Sequence, residues 1–294
     1  MRKFLLMAIC CFMAVGLQAQ RSEYTLEKGW KFTKGEQAGA QQVGYDDAAW
    51  QTVTVPHDWA VYGPFGGTND LQHVAVTQNG ETEASTKTGR TGGLPYVGVG
   101  WYRNTFQADP QKHVTLLFDG AMSEARVYVN GQEAIFWPYG YNSFYCDVTP
   151  YLNQNGTDNL LAVRLENLPL SSRWYPGAGL YRNVHVIQTE DVHVPVWGTQ
   201  VITPHVDQAY ATVKLLTTME QVGDAEVRMR TRILSPSGRE VAVKDNTQSM
   251  LQRTVFEQNL TVDQPELWSP ESPSLYQAVS EIYVDGVKKD TYTT

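Results

Sequence analysis

Cysteine is scarce in this chain. Of its three cysteines, Cys10 and Cys11 fall in an apolar stretch at the very start, which leaves Cys146 as the only thiol in the body of the sequence. A single thiol excludes an intrachain disulfide, so stability has to come from a buried core. Cys146 sits in the alternating segment FYCDV and reads as a small buried hydrophobe. Metal-ligand clusters are missing too. The six histidines are scattered, without paired spacing and without neighbouring cysteines, so no metal site is expected. No Gly-rich phosphate loop or G-x-S-x-G elbow is present, and no cofactor is expected. No stretch beyond the first 20 residues shows a 3.6-residue apolar period, which argues against an α-helical fold. Basic residues are in deficit, 23 against 31 acidic ones, for a net charge of −8. That balance excludes the basic footprint of a nucleic-acid-binding protein. The apolar run at residues 4–17 is shorter than the ~20 residues a membrane span needs.

What is there begins with a leader. Arg2 and Lys3 precede the apolar run, and Ala19 offers a small residue before a cleavage point near Gln20. Residues 1–20 are therefore expected to be a signal peptide, and the protein periplasmic or secreted. A length of 294 residues suggests two domains of ~150 each. Hydrophobic residues make up 42% and charged ones 18%, a globular composition.

Short alternating segments dominate the first part: residues 29–34, 50–55, 100–106, 113–119, 125–129, 132–136, 141–148, 159–167 and 183–187. Asn130-Gly131 marks a tight hairpin, and Asn79-Gly80 a second one. Many short strands with regular turns predict an all-β sandwich of jelly-roll type over residues 21–189. After residue 189 aromatic density falls and longer strands follow, at 209–218, 225–234, 240–244, 254–262 and 275–284. Residues 190–294 thus have the size and rhythm of an immunoglobulin-like sandwich. The last residues, KKDTYTT, read as a strand cut short.

Residues 171–186, SSRWYPGAGLYRNVHV, join two of the strands by a connection too long for a plain hairpin. It carries Arg173, Trp174, Tyr175 and Tyr181. Aromatic faces and a guanidinium suit a sugar, which has apolar C–H faces and a rim of hydroxyls. The alternative is a packed β-crossover with Trp174 in the core. Residues 63–98 form a second long connection, rich in Gly, Thr, Asn and Gln, of the length that functional loops have. Asp58 lies in VPHDW at a strand end just before it. It is a candidate ligand contact, with a structural hydrogen bond as the alternative. Asp119, Glu124, Asp147 and Glu166 could offer the paired carboxylates of glycoside hydrolysis. Each has a duller reading as a turn, loop or solvent-facing residue.

In order along the chain, VPHDW (55–59), GVGWYR (98–103), FDGAMSEARVYVNG (118–131), GYNSFYCDVTPYL (140–152), NLLAVRLEN (159–167) and RWYPGAGLYRNV (173–184) resemble the sugar-binding jelly roll of family 2 glycoside hydrolases. The segment PELWSPESPSLY (265–276) resembles the end of that family's immunoglobulin-like second domain. The likeness is nearest the β-galactosidase branch. It implies hydrolysis of O-glycosyl bonds in a β-linked glycan, with an Asn-Glu acid/base and a nucleophilic Glu on a third domain, a TIM barrel. No Asn-Glu dipeptide occurs here, nor is there room for a barrel of ~250 residues. The resemblance therefore implies no catalytic residue in this chain and a C-terminal barrel as its missing partner. It also implies that Asp58, Arg173 and Trp174 bind substrate at the barrel mouth. Arg173 stands where the family often has an acidic residue. It is placed to meet an acidic group on a decorated glycan, or to pair with Asp58. Two other readings stay open: a free-standing carbohydrate-binding protein, and a structural module that takes part in a homo-oligomer.

Overall fold

The computed structural model describes residues 21–66, 69, 95–169, 175–220 and 224–294. The expected leader, the Asn79-Gly80 hairpin, and Arg173 and Trp174 lie outside the described residues.

Among the described residues, ten strands make two facing antiparallel sheets. They are β1 (Ser22–Thr25), β2 (Trp30–Lys34), β3 (Gln51–Val53), β4 (Gly98–Phe106), β5 (His113–Phe118), β6 (Ala125–Val129), β7 (Gln132–Trp137), β8 (Phe144–Asp147), β9 (Asn159–Asn167) and β10 (Val184–Thr189). The order is β1-β10-β5-β8 in one sheet and β3-β2-β4-β9-β6-β7 in the other. Inward residues of both sheets meet in one core, among them Trp30, Phe32, Leu116, Phe118, Val127, Leu161, Val163 and Val186. This is the jelly-roll sandwich. Its β6–β7 hairpin turns at Asn130 and Gly131, at φ 50° and 87°, with Val129 paired to Gln132. That is the two-residue primed turn whose twist matches the strands.

β9 reads as nearly continuous buried residues because both its faces are covered. The outer cover is the segment before β3, where Ala40, Tyr45 and Trp50 pack near Trp101 and Ala162. Arg103, only 3% exposed, holds that segment. Its Nε donates to Asp47 at 2.7 Å and its Nη1 to the carbonyls of Ala40 and Gln42. The Arg of the GVGWYR block is thus a structural clamp.

Seven further strands build the second sandwich: β11 (Thr199–Val206), β12 (Tyr210–Met219), β13 (Asp224–Leu234), β14 (Glu240–Leu251), β15 (Thr254–Asp263), β16 (Gln277–Val284) and β17 (Val287–Thr293). Three strands, β11-β12-β15, face four, β14-β13-β16-β17. Met219 and Phe256 meet Met229, Met250 and Ile282 between them. The arrangement is immunoglobulin-like, and Thr294 exchanges backbone hydrogen bonds of 2.8 and 2.9 Å with Ala278.

Three strands differ from expectation, each for a physical reason. β1 has only four residues, too few for alternation to show. β11 contains Pro204, which cannot donate to a ladder, and its register shifts between Ile202 and His205; a proline is tolerated there because β11 is an edge strand. β14 runs to Leu251 instead of 244 because its polar residues 245–249 lie on an edge strand, where both faces need not be buried.

The two sandwiches are riveted together. Arg21 donates from Nε to Asp290 Oδ1 and from Nη2 to Oδ2, both at 3.0 Å, and also to the carbonyl of Val194. The amide of Val194 donates to Asp290 Oδ2 at 2.8 Å. Beside this lock the rings of His113 and His193 lie 4.7 Å apart. Burial, then the neighbouring His113, pushes the His193 imidazole down to about 4. A hydrogen bond to Asp147 raises His113. His193 in the unfolded chain binds a proton below its ordinary 6.5, while the folded group does not until about 4. Stability from this group is therefore present above 6.5 and is lost as pH falls from there to 4. His113 has the opposite dependence, so the test is a comparison. Wild type should lose stability relative to His193→Gln over that window, by roughly 3 kcal/mol at most. Parallel urea midpoints across the window would sink this expectation.

Candidate functional site

The site is built where three distant segments meet at one end of the jelly roll. The first follows β3. Asp58 has extended backbone and caps a short 3-10 turn, Trp59–Tyr62, by accepting from the Ala60 amide at 2.9 Å through Oδ1. Trp59 turns inward, 1% exposed, and stacks on Phe32 with centroids 5.7 Å apart. An aromatic ring thus anchors the turn and leaves Asp58 half-buried at the surface.

The second segment precedes β10. Tyr175 donates its hydroxyl to Asp58 Oδ2. Burial, reinforced by that bond, raises the Tyr175 phenol far above its ordinary value, so it stays a donor. The His57 amide donates to the Leu180 carbonyl at 2.7 Å and ties the two segments together. Gly179 is the contact point. A Cβ there would stand 2.4 Å from the Tyr102 hydroxyl and 2.5 Å from the His57 carbonyl oxygen. The third segment, between β5 and β6, joins by the reciprocal bonds of Met122 and Gly179, 2.9 and 3.0 Å.

Below Asp58, His57 Nδ1 and the Tyr102 hydroxyl are 2.7 Å apart. Burial lowers the His57 imidazole; Asp58 opposes this and the Lys34 ammonium adds to it. Burial also raises Tyr102 well above its ordinary value. Both groups are thus neutral at neutral pH, and the pair is a floor that fixes the turn. Lys34 donates to the Gly63 carbonyl and lies 5.3 Å from the Tyr96 ring centroid. Tyr62, 80% exposed, stacks 6.4 Å from His57, and Phe65 is 63% exposed.

An ionised carboxyl group has about four acceptor positions on its two oxygens. Among the described residues, the Ala60 amide and the Tyr175 hydroxyl take one on each, so acceptor positions remain on a side chain already locked in place. Asp58 thus makes the structural hydrogen bonds that were the alternative. Among the described residues, Tyr175 is the side-chain partner of Asp58. Sequence reading noted Tyr175 as an aromatic of the loop but could not pair it with a residue 117 positions away. The Lys34 and Tyr62 placements gave no sequence signal.

Three of the other acids have side-chain partners of their own, and Glu124 takes left-handed backbone at φ 48° just before β6. Asp119 is 3.0 Å from His185, and Glu166 is 3.1 Å from Arg164. Asp147 ends β8, where burial is overcome by hydrogen bonds from His113 and Thr149 that hold its carboxyl down at about 2. Burial pushes the Cys146 thiol up to about 12, an inert core residue. Among the described residues, no three His, Cys, Asp or Glu side chains gather as metal ligands, and no helix is long and apolar enough to cross a membrane.

Fold and site together define a jelly-roll sandwich with a carboxylate-and-aromatic rim, joined to an immunoglobulin-like sandwich. Residues 193–294 match the family model of the glycosyl hydrolases of family 2. Beta-galactosidase BoGH2A of Bacteroides ovatus is 37% identical over 283 residues, covering 94% of this chain and 31% of its own. A putative beta-glucuronidase of Formosa agariphila is 30% identical over 294 residues, covering 96% and 25%. The crystal structure of a glycosyl hydrolase family 2 member from Bacteroides cellulosilyticus superposes with a TM-score of 0.80 at 30% identity, over 92% of this chain and 34% of that one. The chain belongs to glycosyl hydrolase family 2, and it spans about a third or less of the length of these relatives.

Proposed function

We propose that the chain is the non-catalytic β-sandwich portion of a secreted β-glycosidase of β-galactosidase type. In this reading Asp58 accepts hydrogen bonds from sugar hydroxyls at the rim of a pocket that a C-terminal barrel completes. The observation that carries it is the Asp58 carboxyl group, fixed by Ala60 and Tyr175 beside exposed Tyr62, with acceptor positions left over among the described residues. The 37% identity to a beta-galactosidase supports the choice of sugar class over a glucuronide. Arg173 and Trp174 enter the reading from the sequence alone, as does removal of residues 1–20 on export.

Turnover of nitrophenyl β-galactoside tests this. The 294-residue chain alone is expected to show none. In the protein that also carries the remaining two thirds of the family length, Asp58→Ala should lower kcat/KM by about 10- to 100-fold, the effect of losing one or two hydrogen bonds to a charged group. Enzyme-like turnover by the 294 residues alone, or an Asp58→Ala enzyme with unchanged kcat/KM, would overturn the proposal.

A further inference from the structure

A second group of exposed aromatic residues is tied to the segment that carries Tyr175, through Tyr181. Tyr139 and Tyr141, in the connection from β7 to β8, are 57% and 44% exposed. Their rings meet edge to face with centroids 5.7 Å apart. Tyr181 closes the group by donating its hydroxyl to the carbonyl of Gly140, between the two, at 2.7 Å. The Arg182 guanidinium sits 5.5 Å from the Tyr181 ring centroid.

The shelf is held from beneath. Tyr181 packs on Gly120, where a Cβ would stand 2.7 Å from the ring, so no side chain fits there without displacing it. Trp137 stacks on Phe144, which stacks on Phe118 in the core, with centroids 5.5 and 4.8 Å apart. Trp137 Nε1 donates to Asn142 at 3.2 Å and so fixes the same connection. Burial raises the Tyr181 phenol, which keeps it a donor to Gly140. Rings held this way lose little freedom when a ligand stacks on them, since a tyrosine has only two side-chain torsions. Exposed rings give apolar faces, and Arg182 gives a fork of donors. Ring faces rimmed by donors match the C–H face and hydroxyl edge of a pyranose.

We infer that Tyr139, Tyr141, Tyr181 and Arg182 form a second sugar-binding shelf, which takes a further ring of an extended β-linked glycan. The inference rests on the reading of Asp58 as a sugar contact and adds a preference for chains over single sugars. A single residue, Leu180, separates Tyr181 from Gly179, which touches the His57–Tyr102 floor, so both surfaces belong to one end of the sandwich.

Titration of the 294-residue chain with methyl β-galactoside, β-1,4-galactotetraose and cellotetraose, followed by saturation-transfer NMR and calorimetry, tests it. At least one tetraose should bind about tenfold more tightly than the methyl glycoside, which is about 1.4 kcal/mol. Tyr139→Ala/Tyr141→Ala should remove that advantage and leave methyl β-galactoside binding and the unfolding midpoint unchanged. Tyr181→Phe, which loses only the bond to Gly140, should remove part of it. Equal binding of the single sugar and both tetraoses, failure of both tetraoses to bind, or a tetraose affinity unchanged in the double variant would overturn the shelf. If Asp58→Ala leaves all affinities unchanged while the double variant still weakens a tetraose, the rim reading fails and the shelf stands.

Discussion

Asp290→Ala should lower the free energy of unfolding by about 3 to 5 kcal/mol, the penalty for breaking a buried ion pair from one side. Asp290 is fully buried and belongs to β17, while Arg21 stands at the head of β1. The substitution strips Arg21 of both carboxylate contacts and leaves the Val194 and Thr291 amides without theirs. The guanidinium, which also lies 4.9 Å from the Tyr292 ring centroid, would remain with a charge and no counterion. Because the lock joins the two sandwiches, urea unfolding should change in form as well as midpoint, with the sandwiches melting in separate steps. An Arg21→Leu/Asp290→Leu double variant should recover part of the loss, since it removes the unpaired charge as well as the pair. A midpoint unchanged in Asp290→Ala would show that the lock contributes nothing to cohesion.

Gly179→Ala should destabilise the fold by about 2 to 5 kcal/mol, the sum of left-handed backbone strain and overpacking. Gly177 is its internal control. Both have nearly the same backbone, φ 87° at Gly177 and 86° at Gly179. A Cβ on Gly177 meets nothing closer than Asp58 Oδ2 at 3.9 Å, whereas one on Gly179 collides with Tyr102 and with the His57 backbone. Gly177→Ala should therefore show the strain alone, about 1 kcal/mol, and the difference between the two variants measures the steric part. Gly179→Ala should also shift the near-UV circular dichroism of the Phe32, Trp59 and Tyr102 rings, which pack around the displaced hydroxyl. Equal losses in the two variants would refute this account of the floor.

Much of the fold was legible because its signals are local. Ala125–Val129 and Asn159–Asn167 were bounded correctly, since alternation and a following Asn-Gly or turn cluster mark strand ends without reference to the rest of the chain. Ser22–Thr25 gave no such signal; its strand exists because β10 offers partners at Gln188 to His185. In the site, VPHDW was singled out as a strand end carrying a candidate acid, and its Asp58 is half-buried. Its partner was not found, because nothing at position 58 encodes a tyrosine at position 175.

The amino-acid order by itself determined the all-β class, the two sandwich rhythms and the likeness to family 2 glycosyl hydrolases, because strand period, turn chemistry and block order are properties of neighbouring residues. The tertiary structure alone decided which groups meet. Asp58 with Tyr175, His57 with Tyr102, Arg21 with Asp290 and the three-tyrosine shelf each join segments far apart in sequence. Such contacts arise from sheet order and core packing, which place side chains through the summed burial of many residues and through no local pattern.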